Sequence, residues 1–323
     1  MTLACNESCF NDRILHAPED LAILNDCRVF SNLCSLQKKY HGCTEYLENN
    51  ESEVQPYMRK ILTTWMLQVC DEVGCDENVF PLSINYLDRF LSISMIDKSQ
   101  LQLLGAVCML ISSKVTETLP LLSIERLIMY TDYSVTAREL IDYETLVLLR
   151  LKWDILAVTA SDFVDHILHR FHLSCDNFLK IRKHVYSFIH LSCTDHQFSE
   201  YPASHIATCS VGAAFVALTP FEKEINLTRQ CLIGKLHTIT GIPVHCLVPG
   251  LIQVESILKS NLVHITNCSV PSHNVNADEK ENNSLNMSCS SSADVSMSED
   301  LDYENSSFDE CSTAIDVFIG VKT

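Results

Sequence analysis

Leu101-Gln102-Leu103-Leu104-Gly105-Ala106-Val107-Cys108-Met109-Leu110-Ile111-Ser112-Ser113-Lys114 is apolar on every side of a helical wheel until it ends on a cation. A helix with no polar face has no side to offer to water, so this segment is expected to run through the centre of a helical core. Its neighbours should then be amphipathic helices packed around it. Upstream, Met58, Ile61, Leu62, Trp65 and Val69 recur at helical spacing, as do Phe80, Ile84, Leu87, Phe90 and Leu91. Downstream, Ser123 to Tyr130 and Ala137 to Leu151 complete a group of five.

A second group follows: Ser161 to Phe171, Phe178 to Ser192, Pro202 to Leu218, Leu227 to Thr240 and Val244 to Asn261, the last expected to bend or break at Pro249-Gly250. Leu21 to Tyr40 reads as a separate amphipathic helix ahead of both. The predicted fold is all-α: two five-helix lobes, 57–154 and 155–262, preceded by an N-terminal segment 1–19 and a helix with linker 20–56. Beyond Pro271 large apolar groups are few, and from Asp278 eleven acidic residues face only Lys280 and Lys322. Such a stretch cannot bury enough apolar surface to offset its ordering entropy, so 263–323 is expected to be a disordered acidic tail.

The formal net charge of −18 argues against a nucleic-acid surface, which needs a basic stripe. The apolar runs are too short to span a bilayer, so partners should be proteins rather than nucleic acid or membrane. Sixteen cysteines are scattered from Cys5 to Cys311 without a Cys-x-x-Cys pair, so reduced, packed thiols are expected and no metal site. His166, His169 and His172 read as solvated helix surface, not as ligands. With no phosphate loop, nucleophile elbow or kinase signature, no cofactor and no catalysis are expected.

Several motifs in order identify a family. Met58-Arg59-Lys60-Ile61-Leu62 with Trp65-Met66, then Asn85-Tyr86-Leu87-Asp88-Arg89-Phe90-Leu91, then Leu101 to Ala106 and Ser113-Lys114 closely resemble a cyclin box. Tyr130-Thr131-Asp132, Leu151-Lys152-Trp153 and Asp162-Phe163 resemble D-type cyclins in particular, and the likeness runs from about Asn25 to Leu262. It implies a non-catalytic subunit that activates a cyclin-dependent kinase of the four/six type and directs it to retinoblastoma-family proteins in the nucleus and cytoplasm. Kinase inhibitor proteins and a ubiquitin ligase are further implied partners.

The resemblance also places sites. Lys114 and Glu144 match a charged pair at the kinase interface. Glu144 stands among Leu140, Ile141, Leu146, Val147 and Leu148, where a carboxylate needs a donor. By periodicity alone Lys114 could equally serve its own helix's C-terminal dipole. One residue more than the family pattern stands between them, near Leu121 to Ile124. Met58, Ile61, Leu62 and Trp65, with Gln102, match a shallow cleft for Arg-x-Leu docking peptides, although the same stripe would ordinarily be core. Gln68 stands where relatives often carry an acid.

Leu3, Cys5 and Glu7 resemble the Leu-x-Cys-x-Glu signal for the retinoblastoma pocket, and alternation sets them on one side of an extended strand. That motif would also suit a pocket-protein-binding scaffold acting without a kinase. A DNA-holding cyclin-box factor is disfavoured by the charge. Asp309 to Asp316 looks like the family's phosphodegron region, but Ala314 stands where a proline is usual. Ser291, Ser296, Ser298, Ser306 and Ser307, beside acidic residues, are better candidate phosphosites than Thr313.

Overall fold

The computed structural model describes residues 20–41, 45–47, 53–218 and 228–268, with side chains to Ser260. Every regular element among them is helical. A short α1 (Leu21–Asn25) and α2 (Cys27–Leu36) precede five helices of a first lobe: α3 (Pro56–Val73), α4 (Val79–Ile93), α5 (Leu101–Thr116), α6 (Ile124–Tyr130) and α7 (Ala137–Arg150). The second lobe holds α8 (Ser161–Leu168), α9 (Cys175–Thr194), α10 (Ala203–Leu218), α11 (Arg229–Thr240) and α12 (Val244–Cys268). Residues to Leu258 form one compact unit; the remainder from Lys259 is a second, of which only the end of α12 is described. From residue 269 the expected disordered tail, like the segment 1–19, lies outside the described residues, whereas 263–268, expected to belong to that tail, continue helix α12.

In each lobe the third helix is the central one. In α5, Leu104 to Ser113 are all buried, and α3, α4 and α7 pack around it. In α10, Ala207 to Phe215 are buried beneath α8, α9 and α11. The all-round apolar pattern of these segments produces this position, because only a helix enclosed by others leaves no face to water.

Three expectations are corrected. The helix read over Leu21 to Tyr40 is broken at Asp26, whose carboxylate accepts from Arg28 N at 2.8 Å and so starts a new helix. His166 is buried, not solvated: α1 and α2 cover it, its Nδ1 lies 3.1 Å from Leu24 O, and Phe30 meets both His166 and Phe163 edge-on. Pro249-Gly250 does not end α12. Near the proline, the carbonyls of Cys246 and Leu247 lie 3.1 Å from His205 Nε2 and 3.8 Å from Cys209 Sγ on α10, so side chains of α10 contact the backbone of α12 there. Gly250 permits that approach, since a Cβ there would stand 2.7 Å from Cys209 Sγ.

A buried ion pair within the first lobe lies beside the contacts that join the two lobes. Arg59 on α3 donates Nε and Nη2 to the two oxygens of Asp88 on α4, each at 2.8 Å, and Tyr46 donates its hydroxyl to Asp88 at 2.9 Å. Beside it, Thr63 donates to Thr194 O of α9 at 3.2 Å. Arg182 of α9 reaches Glu77 of the first lobe at 2.6 Å and Asp165 of α8 at 2.9 Å.

Candidate functional site

The loop after α5 is fixed by one buried carboxylate. Glu117 accepts Asp76 N and Leu121 N, each at 3.0 Å, and takes a short hydrogen bond from Ser113 Oγ. Three groups on this anchor tie the α3–α4 turn, the end of α5 and the approach to α6 together, so the region of the extra residue is held by hydrogen bonds. Lys114 is the residue after Ser113, and its position follows from that anchor.

On the other side, α7 begins with a capping box. Thr136 Oγ1 accepts Glu139 N at 3.3 Å, while Glu139 accepts Thr136 N at 2.8 Å. Buried Leu140 and Val147 then hold α7 on α5, which sets Glu144 toward the end of α5. Lys114 Nζ lies 2.6 Å from Glu144 Oε1. The lysine side chain is 45% exposed and the carboxylate 17%. The pair therefore lies at the surface, with its charged face open to a partner.

The other expected site residues divide. Leu62 is core: it is buried with Met66, and a Cβ at Gly105 of α5 would come within 2.9 Å of Leu62 Cδ1. Ile61 is 65% exposed, one turn beyond Tyr57 at 60%. Met58 and Trp65 are half-buried against the core, and Gln102 is half-buried in the first turn of α5. Of the expected stripe, α3 thus shows to solvent Ile61, flanked by the half-buried Met58 and Trp65. Leu3, Cys5, Glu7 and all six candidate phosphosites lie outside the described residues.

The D-type motifs mark strained turns that sequence reading missed. α6 and α7 end in the same way: Asp132 and Tyr133, then Lys152 and Trp153, have φ between 52° and 58°. In each case the second residue's N–H reaches back to the carbonyl five residues earlier, Tyr133 to Ile128 and Trp153 to Leu148, both at 2.9 Å. Non-glycine residues pay about 1–2 kcal/mol each for this conformation. Each turn displays an exposed aromatic ring, Tyr133 at 74% and Trp153 at 63%.

The described cysteines are free thiols, and no group of three metal-ligating side chains occurs among the described residues. No single helix there is long and apolar enough to cross a membrane.

Comparison with known proteins agrees with this architecture. The family described as "Cyclin, N-terminal domain" matches residues 28–156, and "Cyclin, C-terminal domain" matches 158–294. The G1/S-specific cyclin-D2 of Xenopus laevis is 45% identical over 262 residues, 81% of this chain and 89% of that one. The chain belongs to the D-type cyclins. Human G1/S-specific cyclin-D3 is 46% identical over 250 residues, 76% of this chain and 84% of its own length. Among solved structures, a viral cyclin from herpesvirus saimiri superimposes with a TM-score of 0.63 at 27% identity, covering 72% of this chain and 97% of that one. A cyclin is a non-catalytic regulatory subunit of a cyclin-dependent kinase. For this D-type cyclin, the two-lobed helical fold is thus a surface for partners.

Proposed function

We propose that this D-type cyclin activates a cyclin-dependent kinase of the four/six type and directs it to retinoblastoma-family proteins at the passage from G1 to S. The carrying observation is the Lys114–Glu144 pair, closed at 2.6 Å yet open to solvent, at positions matching the kinase-contacting pair of cyclins. The curated relatives bear the description "G1/S-specific", which supports the stage. A preformed pair reduces the cost of ordering two long side chains on binding.

Substrate choice in this proposal rests on two features. The exposed part of the α3 stripe, Ile61 with Met58 and Trp65, takes Arg-x-Leu peptides, and Leu3, Cys5 and Glu7 take the retinoblastoma pocket. The acidic tail, with serines suited to an acidophilic kinase, serves turnover through a ubiquitin ligase, and inhibitor proteins act on the assembled kinase in the nucleus and cytoplasm.

The test is reconstitution of the purified chain with a kinase of this type and a retinoblastoma fragment as substrate. Phosphorylation that requires the chain, and fails with folded Glu144→Lys, supports the proposal. Retinoblastoma binding with no kinase association at all would instead make the chain a pocket-protein scaffold.

A further inference from the structure

The end of α3 brings two thiols together. Gly74 N donates to Asp71 O at 3.3 Å, Cys75 N donates to Cys70 O at 3.0 Å, and Gly74 takes the left-handed conformation at φ 73°. In a helix end bonded in this paired way, the residue that closes the outer bond packs its side chain against that of the residue whose carbonyl it meets. Here both residues are cysteines. They belong neither to the Lys114–Glu144 pair nor to the α3 docking stripe, so nothing below rests on the kinase reading.

Cys70 is buried in the first-lobe core, with its Sγ 3.8 Å from Met109 Sδ, whereas Cys75 is half-buried and reaches water. The hydrogen bond with the Cys75 thiol, and after it burial, holds the Cys70 pKa well above that of an ordinary thiol. Cys34, Cys108, Cys193 and Cys209 are raised as well, but in each of them burial is the leading cause. Among these described thiols, Cys70 is the one whose leading influence is another thiol.

The two cysteines are therefore suited to different steps. A thiol reacts as its thiolate, and an oxidant must reach it, which the position of Cys75 allows. Cys70 keeps its proton and is shielded from solvent, but has the Cys75 sulfur beside it. A disulfide needs two backbone positions close together with their side chains directed toward each other, and the bond from Cys75 N to Cys70 O across a single turn supplies both.

We infer that Cys70 and Cys75 form a reversible oxidation site, which a hydroperoxide converts into a disulfide closing the C-terminal turn of α3.

The step balances with hydrogen peroxide as oxidant. The Cys75 thiolate attacks one peroxide oxygen, the O–O bond breaks, and hydroxide leaves to become water, so that Cys75 is oxidised to the sulfenic acid. The Cys70 sulfur then attacks the Cys75 sulfur. The S–O bond breaks, and the sulfenic hydroxyl leaves as a second water carrying the Cys70 proton. A small dithiol restores both cysteines by exchange and is itself oxidised to a disulfide.

The test uses the full chain, fully reduced and then exposed to hydrogen peroxide at neutral pH. Remaining thiols are blocked with N-ethylmaleimide and the chain is cut after its glutamates, including Glu72 between the two cysteines, so that only a disulfide keeps their fragments together. Mass spectrometry should find the two fragments joined, and separate after dithiothreitol. Cys75→Ser should slow the oxidation of Cys70 at least tenfold. Cys70→Ala should stop Cys75 at the sulfenic acid, which dimedone traps; if that variant does not fold, the parent chain and Cys75→Ser still decide the matter. Three results would each overturn the assignment: joined fragments no more abundant than pairs drawn from the exposed Cys27, Cys175 and Cys231, Cys70 oxidised as fast in folded Cys75→Ser as in the parent, or Cys75 going on to the sulfinic acid with Cys70 still reduced.

Discussion

Arg59 and Asp88, 29 residues apart on adjacent helices, form a two-pronged ion pair at 2.8 Å with the arginine only 1% exposed. Two charges are costly to remove from water, and the cost is met here by paired geometry and by Tyr46 on the carboxylate. Losing one member leaves the other buried and unmatched. Asp88→Asn or Arg59→Ala should each lower unfolding stability by about 3–5 kcal/mol. Urea denaturation measures this; a loss below 1 kcal/mol for both would mean that the site rehydrates freely.

Lys114 and Glu144 offer a sharper comparison, because their pair is half-exposed and worth little to stability by itself. Lys114→Glu and Glu144→Lys should leave Tm within about 2 °C of the parent and remove kinase association. The double exchange restores attraction between the two residues while reversing what a partner meets. Kinase binding should remain lost in the double variant. Recovery there would show that the pair only braces α5 against α7.

On α3, neighbouring residues of one sequence stripe should behave differently. Leu62→Ala should cost about 2–5 kcal/mol, as a buried leucine does. Ile61→Ala should leave stability within about 0.5 kcal/mol and raise KM for substrates with an Arg-x-Leu peptide, without changing peptides that lack it. Equal KM values for both peptide classes would remove Ile61 from the docking surface.

These contrasts show where the sequence was informative. The centrality of α5 was readable because an all-apolar helix has one physical solution. The α3 stripe was not divisible, since Ile61 and Leu62 share a spacing and only the approach of Gly105 decides which is enclosed. Arg59 and Asp88 belong to the Met58–Leu62 and Asn85–Leu91 motifs, but a pairing between separate helices has no local signature. Asp26 does have one, as an N-cap residue, but the amphipathic spacing continues on both sides of it and hides the break. His166 could not be assigned before α1 and α2 were placed above it.

Burial keeps His190 neutral by lowering its pKa from 6.5, while its Nε2 lies 2.8 Å from Glu77 O and its ring meets Phe80 edge-on. Below about pH 6.5 the unfolded chain takes up a proton at this site that the native chain does not. Stability should therefore fall as pH drops from about 6.5 toward the native pKa. His190→Gln, which can still donate to Glu77 O, should flatten this part of the profile. An unchanged slope in denaturation midpoints between pH 7 and pH 5.5 would place the titration elsewhere.

Gly250 and Gly234 give the last prediction, because both are helical and differ in what surrounds them. At Gly234 a Cβ would meet nothing within 4 Å, so Gly234→Ala gains helix propensity alone and should stabilise by about 0.5–1 kcal/mol. At Gly250 the same methyl would stand 2.7 Å from Cys209 Sγ and 2.8 Å from His205 Nε2, two side chains enclosed between α10 and α12. Neither can swing into solvent, so α12 must move away and the contacts of His205 and Cys209 with its carbonyls must lengthen. The propensity gain of Gly250→Ala should be outweighed, for a net loss of about 1–3 kcal/mol. Thermal unfolding of the two variants side by side decides it. Stabilisation at both positions would mean that α12 reaches α10 less closely than Gly250 implies.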